Sequence, residues 1–165
     1  MITTAMRKGL IVAACHIAIV SSLGVKLLAD RATRPRVWAR TAPVDPNLPI
    51  RGRYVRLRVE VDPGAGLESD GAWLPVALSA KDGRLTATHD PDSHVYARAT
   101  RRGGERVADL IEPVAYFIPE HAVDPSRRQP GEELWVEVTV PRAGGPRPIR
   151  LGVKKDGVLT PLDVK

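Results

Sequence analysis

The sequence predicts a mainly β domain, folded as a small antiparallel β-sandwich or a partly open barrel and preceded by one N-terminal transmembrane α-helix. Residues 9–25 form an apolar stretch of 17 residues without a charge, which is typical of a membrane-spanning helix. After residue 35, eight or so short apolar stretches alternate with turn residues at regular spacing, as in antiparallel sandwiches and barrels. No stretch there keeps apolar residues at helical spacing for three turns, so the sequence predicts no long helix in this part of the chain.

The apolar stretch continues past Lys26 to Ala29 and predicts an anchor. A helix over residues 9–29 would be about 31 Å long, enough to cross a hydrocarbon core of about 30 Å. Lys26 lies near one end, where its long side chain would reach the lipid headgroups. The predicted organisation is a short basic N-terminus (1–8), the anchor (9–29), a stalk or linker (30–49) and a β-rich domain (50–165).

Two cleavable signals are alternatives to an uncleaved anchor. Signal peptidase would cut after Gly24, where Ser22 and Gly24 supply the small residues of a cleavage site. The segment Val12–Cys15 resembles a lipoprotein processing box, but only three apolar residues separate it from Lys8. The apolar stretch is longer than a usual signal core, which favours a retained anchor.

Charges around the anchor give conflicting indications of orientation. Five basic side chains lie between residues 26 and 40. Before the anchor there are only the amino terminus and two basic side chains, Arg7 and Lys8. This distribution favours a cytoplasmic domain. A short basic start followed by an apolar core is instead typical of exported domains, which cross largely regardless of charge. The residues alone therefore leave the orientation open.

The clearest predicted strand is Tyr54–Val61. Four apolar residues at odd positions alternate there with Arg56, Arg58 and Glu60, which is the period-two pattern of a half-buried strand. The other predicted strands are Arg36–Thr41, Trp73–Ser79, Arg84–Thr88, Val95–Thr100, Val107–Ile111, Leu134–Val140, Ile149–Lys154 and Val158–Leu162. Hairpin turns are predicted at Lys81-Asp82-Gly83, Arg102-Gly103-Gly104 and Lys155-Asp156-Gly157.

Composition argues against several classes of function. The net charge is +6, but the first 29 residues carry half of it, and the basic residues of the domain are interleaved with acids. No compact basic stripe with aromatic residues appears, so nucleic acid is not a predicted partner, whereas membrane lipid is. The one cysteine, Cys15, lies in the apolar segment, so the domain has no disulfide and no thiolate nucleophile.

The segment His89–His94 is the best candidate for a metal site. His89 and His94, with two aspartates between them, present ligand types that bind Zn²⁺. The alternative is an ordinary turn, since Asp-Pro-Asp-Ser is common turn chemistry and no further ligands are obvious nearby. The turn is favoured, so no metal and no cofactor are predicted. No nucleophile elbow, phosphate loop or dinucleotide fingerprint occurs, so an enzyme is not predicted.

Three segments carry a resemblance to a known family. Pro43-Val44-Asp45-Pro46 is followed by a stretch with Gly52, Tyr54 and Leu57, and Tyr116-Phe117-Ile118-Pro119-Glu120 comes later. Together they resemble the GDYXXLXY protein family, from about Arg36 to Val140. Arg53 stands where the family motif has Asp, and Val59 stands where it has the final Tyr.

The resemblance implies a bacterial protein with an N-terminal anchor and a domain outside the cytoplasm. It implies no known activity, but such proteins are often encoded beside multi-span membrane proteins. We therefore expect a single-pass protein of the cell (inner) membrane, with a periplasmic domain that serves as a non-enzymatic accessory subunit beside a polytopic membrane protein. The alternatives are a small-molecule or metal-binding module and a cell-envelope hydrolase. The candidate interaction residues are Gly52, Tyr54, Leu57, Tyr116 and Phe117.

Overall fold

The computed structural model of this chain describes residues 4–44, 54–68 and 70–164, and it shows one helix followed by ten strands. The helix is α1 (Thr4–Thr33). The strands are β1 (Arg36–Val44), β2 (Tyr54–Pro63), β3 (Trp73–Lys81), β4 (Arg84–His89), β5 (Tyr96–Arg102), β6 (Glu105–Leu110), β7 (Val114–Phe117), β8 (Glu133–Thr139), β9 (Arg147–Lys155) and β10 (Val158–Pro161). The predicted class, mainly β with a single N-terminal helix, is confirmed.

Helix α1 belongs to a compact unit of its own, residues 1–34. Its stretch Met6–Thr33 reaches a mean hydropathy of 2.0 with none of that window buried in the structure, so the helix is long and apolar enough to cross a membrane. His16 brings its Nδ1 within 2.8 Å of the Val12 carbonyl oxygen. Because a carbonyl oxygen can only accept, Nδ1 donates, and one polar group of the imidazole is satisfied within the helix.

The second unit, residues 35–165, contains all ten strands. Nine of them follow the order β10-β9-β8-β1-β2-β4-β3-β5-β6, and β6 pairs again with β2, while β7 pairs with β2 outside this order. The pairings of β2, β4, β3, β5 and β6 therefore close a ring, while β1, β8, β9 and β10 extend the sheet beyond it. Neighbouring strands are antiparallel except for a short parallel contact, where Asp62 and Pro63 of β2 face Thr86 and Ala87 of β4.

Three predicted hairpins are confirmed at the β3–β4, β5–β6 and β9–β10 connections. Each uses two residues with positive φ: Asp82 and Gly83, Gly103 and Gly104, Asp156 and Gly157. Positive φ at both central residues is the geometry of type I′ turns, whose twist matches that of the flanking strands. Asp-Gly and Gly-Gly are the residue pairs that this turn prefers.

The core consists of the apolar side chains that the alternation predicts to face inward. In β2, Val55, Leu57, Val59 and Val61 are buried, whereas Arg58 between them is exposed. The ring strands also contribute small core residues, since Ala87, Ala97, Ala99 and Ala108 are all buried. Small residues suit the interior of a narrow ring of strands, where side chains converge.

The structure differs from the sequence-based expectation in detail. Strand β7 was not predicted by the alternation, because it is only four residues long and lies between Pro113 and Pro119. The predicted first strand is longer than expected and forms β1, which lies between β2 and β8. The residues expected to form a stalk are therefore divided between the end of α1 and β1, and residues 45–49 lie outside the described part of the chain.

Candidate functional site

The candidate interaction residues gather on two paired strands. Strand β7 runs antiparallel to β2, with Tyr54 opposite Phe117, Val55 opposite Tyr116 and Leu57 opposite Val114. Segments more than fifty residues apart in sequence therefore lie side by side. Gly52, the remaining candidate, lies outside the described residues.

Tyr54 and Phe117 form an aromatic pair on the outer face of these strands. Their ring centroids are 6.1 Å apart at an interplanar angle of 51°, within the range of favourable tilted contacts. Phe117 is 73% exposed, and Tyr54 is half-buried. The Tyr54 hydroxyl oxygen is buried and finds no hydrogen-bond partner among the described residues, although such a hydroxyl usually finds one.

Leu57 and Tyr116 lie on the opposite, inward face of the same strands. Leu57 is fully buried, and the ring of Tyr116 is half-buried against the core. Inward-facing side chains stabilise the domain but are not available to a partner. The structure therefore places two of the candidate residues on the surface and two in or against the core.

His89 is the last residue of β4, and His94 follows the turn after it. His89 directs its Nδ1 at the Pro75 carbonyl oxygen, 3.1 Å away. Asp90 accepts from the backbone N–H of Asp92 at 3.1 Å, and the Ser93 hydroxyl donates to the Val76 carbonyl at 2.6 Å. The bond between Asp90 and Asp92 is typical of an Asx turn, whereas the His89 and Ser93 bonds attach this segment to strand β3. Within residues 4–44, 54–68 and 70–164, no group of three potential ligands is close enough to hold a metal ion.

A cleft of about 890 Å³ lies where β1 and β2 separate. The pairing of β1 with β2 begins at Thr41 and Val59, while the preceding part of β1 pairs with β8 and the following part of β2 pairs with β6 and β4. We call this opening the β1–β2 cleft. Its aromatic lining is Trp38 of β1 and Trp135 of β8.

The charged lining of the β1–β2 cleft is balanced. It contains as many acids as bases: Glu60, Asp62, Glu105 and Glu133 against Arg40, Arg84, Arg106 and Lys154. Several of these charges pair. Arg40 is 2.9 Å from Glu133, and Arg84 is 3.0 Å from Asp62. The cleft therefore has no formal net charge.

The two cleft tryptophans are held in place by strand β9. The Arg150 guanidinium lies 5.4 Å from the ring centroid of Trp38, and the Lys154 ammonium lies 4.7 Å from that of Trp135. A Cβ on Gly152 would come within 2.8 Å of the Trp38 ring, so the ring fits only because this residue has no side chain. Cation–π contact and close packing together fix the orientation of the rings.

A buried ion network lies beside the cleft. Glu60 of β2 is directly opposite Asp109 of β6, and Arg102 of β5 donates to both carboxylates, at 3.2 Å to Asp109. Glu60 also lies 4.0 Å from Arg40. Because the Glu60 and Asp109 side chains are only 10% and 7% exposed, Arg102 compensates two charges that water cannot solvate.

Sequence reasoning missed the cleft, although a signal for it exists. Trp38 stands between the buried residues Val37 and Ala39, and Trp135 stands between Leu134 and Val136, which are also buried. Each tryptophan therefore occupies an outward position of its strand, where a polar residue is usual.

Comparisons with protein-family models, curated proteins and solved structures found no match to this chain.

Proposed function

We propose that the protein is a single-pass membrane-anchored, non-enzymatic accessory subunit, whose β domain contacts an integral membrane partner through the aromatic pair Tyr54 and Phe117. The observation that carries this proposal is the exposure of the Phe117 ring. Leaving a phenylalanine in water forgoes about 2 kcal/mol of burial free energy. Exposed aromatic side chains are also the residues that most often anchor protein interfaces.

The geometry of the aromatic pair suits a contact surface. Backbone pairing of β2 and β7 holds Tyr54 opposite Phe117. The two ring centroids lie 6.1 Å apart, and this contact restricts the exposed Phe117 ring, which lowers the conformational entropy lost when a partner covers it. Aromatic side chains are enriched at protein interfaces.

Substitution of Phe117 tests this assignment. After extraction in mild detergent, we expect at least tenfold less membrane partner to be recovered with Phe117→Ser than with wild type. The reason is that loss of an aromatic anchor costs about 2 kcal/mol or more of binding free energy. Quantitative mass spectrometry of the purified complex measures the loss. Val158→Ser is the matched control, because Val158 is also exposed (67%) but lies on β10.

One outcome would contradict the accessory role, and another would contradict the contact through Phe117. Wild-type protein that purifies alone under gentle extraction would remove the accessory role. Equal recovery of the partner with Phe117→Ser and wild type would leave the role but assign the contact to another surface.

Removal of the helix tests the proposed anchor. We expect full-length protein to stay with the membrane after carbonate extraction, whereas residues 35–165 alone become soluble and retain a cooperative melting transition, because all ten strands belong to that unit. Membrane fractionation and circular dichroism measure the two properties. If the full-length gene product instead appears in the soluble fraction and begins near residue 25, the N-terminal segment is a cleaved signal.

We also propose that the domain lies on the periplasmic side of the inner membrane. The short basic start before the apolar stretch supports this orientation, as does the resemblance to the GDYXXLXY family. A phosphatase reporter fused after Lys165 would then be active, and a cytoplasmic fluorescent reporter at the same position would be dark. The opposite result would place the domain in the cytoplasm.

A further inference from the structure

The β1–β2 cleft has the dimensions of a ligand site. Its volume of about 890 Å³ lies within the range of about 300–1,000 Å³ that is usual for small-molecule pockets. Its walls are strands rather than loops: Trp38 and Arg40 come from β1, Trp135 from β8 and Glu60 from β2. Sites built on strands hold their side chains more accurately than sites built on loops.

The two tryptophans supply the main apolar surface that a ligand could reach in the cleft. Ala39, Val61 and Leu85 also border it, but they are at most 3% exposed and belong to the core. Trp38 and Trp135 lie on one face of neighbouring strands, since Trp38 is opposite Glu137 and Trp135 is two residues before it. Diagonal neighbours of this kind are about 7–8 Å apart. The two indoles therefore form a short aromatic surface beside polar groups.

The polar groups of the cleft indicate the class of ligand. Carboxylates only accept hydrogen bonds, whereas guanidinium and ammonium groups only donate. Arg40 and Glu133 bond directly to each other at 2.9 Å. A hydroxyl group both donates and accepts, so it fits beside such a pair, where it can accept from a further guanidinium N–H and donate to a carboxylate oxygen. Because acids and bases occur in equal number around the cleft, its charge favours neither an anion nor a cation.

We propose that the β1–β2 cleft binds a neutral carbohydrate. The C–H face of a pyranose ring stacks on indole, and its hydroxyls bond to acids and bases at the same time. No part of this carbohydrate proposal depends on the aromatic pair of Tyr54 and Phe117. The carbohydrate site therefore goes beyond the accessory role, and each is tested by different residues.

Calorimetric titration of the full chain tests the site. The protein is held in a polyoxyethylene detergent, because a glycoside detergent would itself compete for the cleft. The probes are chitotetraose, cellotetraose and maltotetraose. We expect saturable binding of at least one of them, with an affinity that changes less than twofold between low and high sodium chloride, since a neutral ligand makes no screened charge contact.

Substituted proteins locate the binding. Trp135→Ala is expected to weaken the affinity at least tenfold. Trp73→Ala is the control and should change the affinity less than twofold. Trp73 also makes a cation–π contact, with Arg98, but it does not line the cleft. Arg84→Gln, at a side chain that is 70% exposed, should fold normally and weaken binding at least threefold. This variant decides the question if Trp135→Ala does not fold.

Three results would overturn the proposal. The first is no saturable heat with any of the three oligosaccharides. The second is binding that Trp73→Ala weakens as much as Trp135→Ala does, or that Arg84→Gln leaves unchanged. The third is salt-sensitive binding of inorganic phosphate that excludes the oligosaccharide, which would make the cleft an anion site.

Discussion

Replacing Arg102 with methionine is expected to lower the free energy of unfolding of the β domain by about 2–4 kcal/mol, because it leaves the Asp109 carboxylate buried without this cation and the Glu60 carboxylate with the more distant Arg40, 4.0 Å away. Glu60 and Asp109 face each other across β2 and β6, and Arg102 donates to both. The lower part of this range allows for solvent screening, since the Arg102 side chain is itself 37% exposed. Urea denaturation of residues 35–165 measures the effect.

The matched control removes the charges as well as the cation. When Glu60→Gln and Asp109→Asn are combined with Arg102→Met, we expect most of the lost stability to return, because no uncompensated charge remains. The same triple variant would be no better than Arg102→Met alone if the arginine stabilised the ring mainly through packing of its aliphatic stem. A change below about 0.5 kcal/mol for Arg102→Met would contradict the network, since surface substitutions have effects of that size.

The second large effect is expected at Leu57. Its side chain is fully buried, so Leu57→Ala should destabilise the domain by about 2–5 kcal/mol through lost burial and the cavity left behind. Phe117→Ser, at an exposed position of the paired strand, should change stability by less than about 1 kcal/mol. Thermal and urea unfolding of both variants measure this contrast.

The contrast separates structure from function within the paired strands β2 and β7. If Leu57 stabilises the fold and Phe117 binds the partner, Leu57→Ala lowers the melting temperature, and its loss of partner follows the loss of folded protein. Phe117→Ser instead loses partner while it melts like wild type. A large loss of stability with Phe117→Ser would assign the aromatic pair to the fold and would remove the main support for the contact surface.

Local features of the fold were predictable from the sequence. Alternation in Tyr54–Val61 gave the buried face of β2 correctly, since the side-chain period of a strand depends only on its own backbone. Asp82-Gly83, Gly103-Gly104 and Asp156-Gly157 likewise marked their hairpins, because a type I′ turn depends on the conformation of two residues. The N-terminal helix followed from the length of one apolar stretch.

Long-range features could not be predicted in the same way. The ring closes because β2 pairs with β6 and β4 after it leaves β1, and no local pattern states which distant strands meet. The pairing of Glu60 with Asp109 and the β1–β2 cleft that Trp38 and Trp135 line both depend on that closure. The pairing of Tyr54 with Phe117 also required the register of β7, a strand too short to show alternation.

Photo-crosslinking in intact membranes tests the central claim most directly. A benzophenone amino acid is placed at Phe117 in one protein and at Val158 in another, since both side chains are exposed but lie on different strands, β7 and β10. The proposed contact predicts an adduct with an integral membrane protein at position 117, at least severalfold more abundant than at position 158. No adduct at 117, or equal adducts at both positions, would contradict a specific contact of the domain with a membrane partner through this aromatic pair.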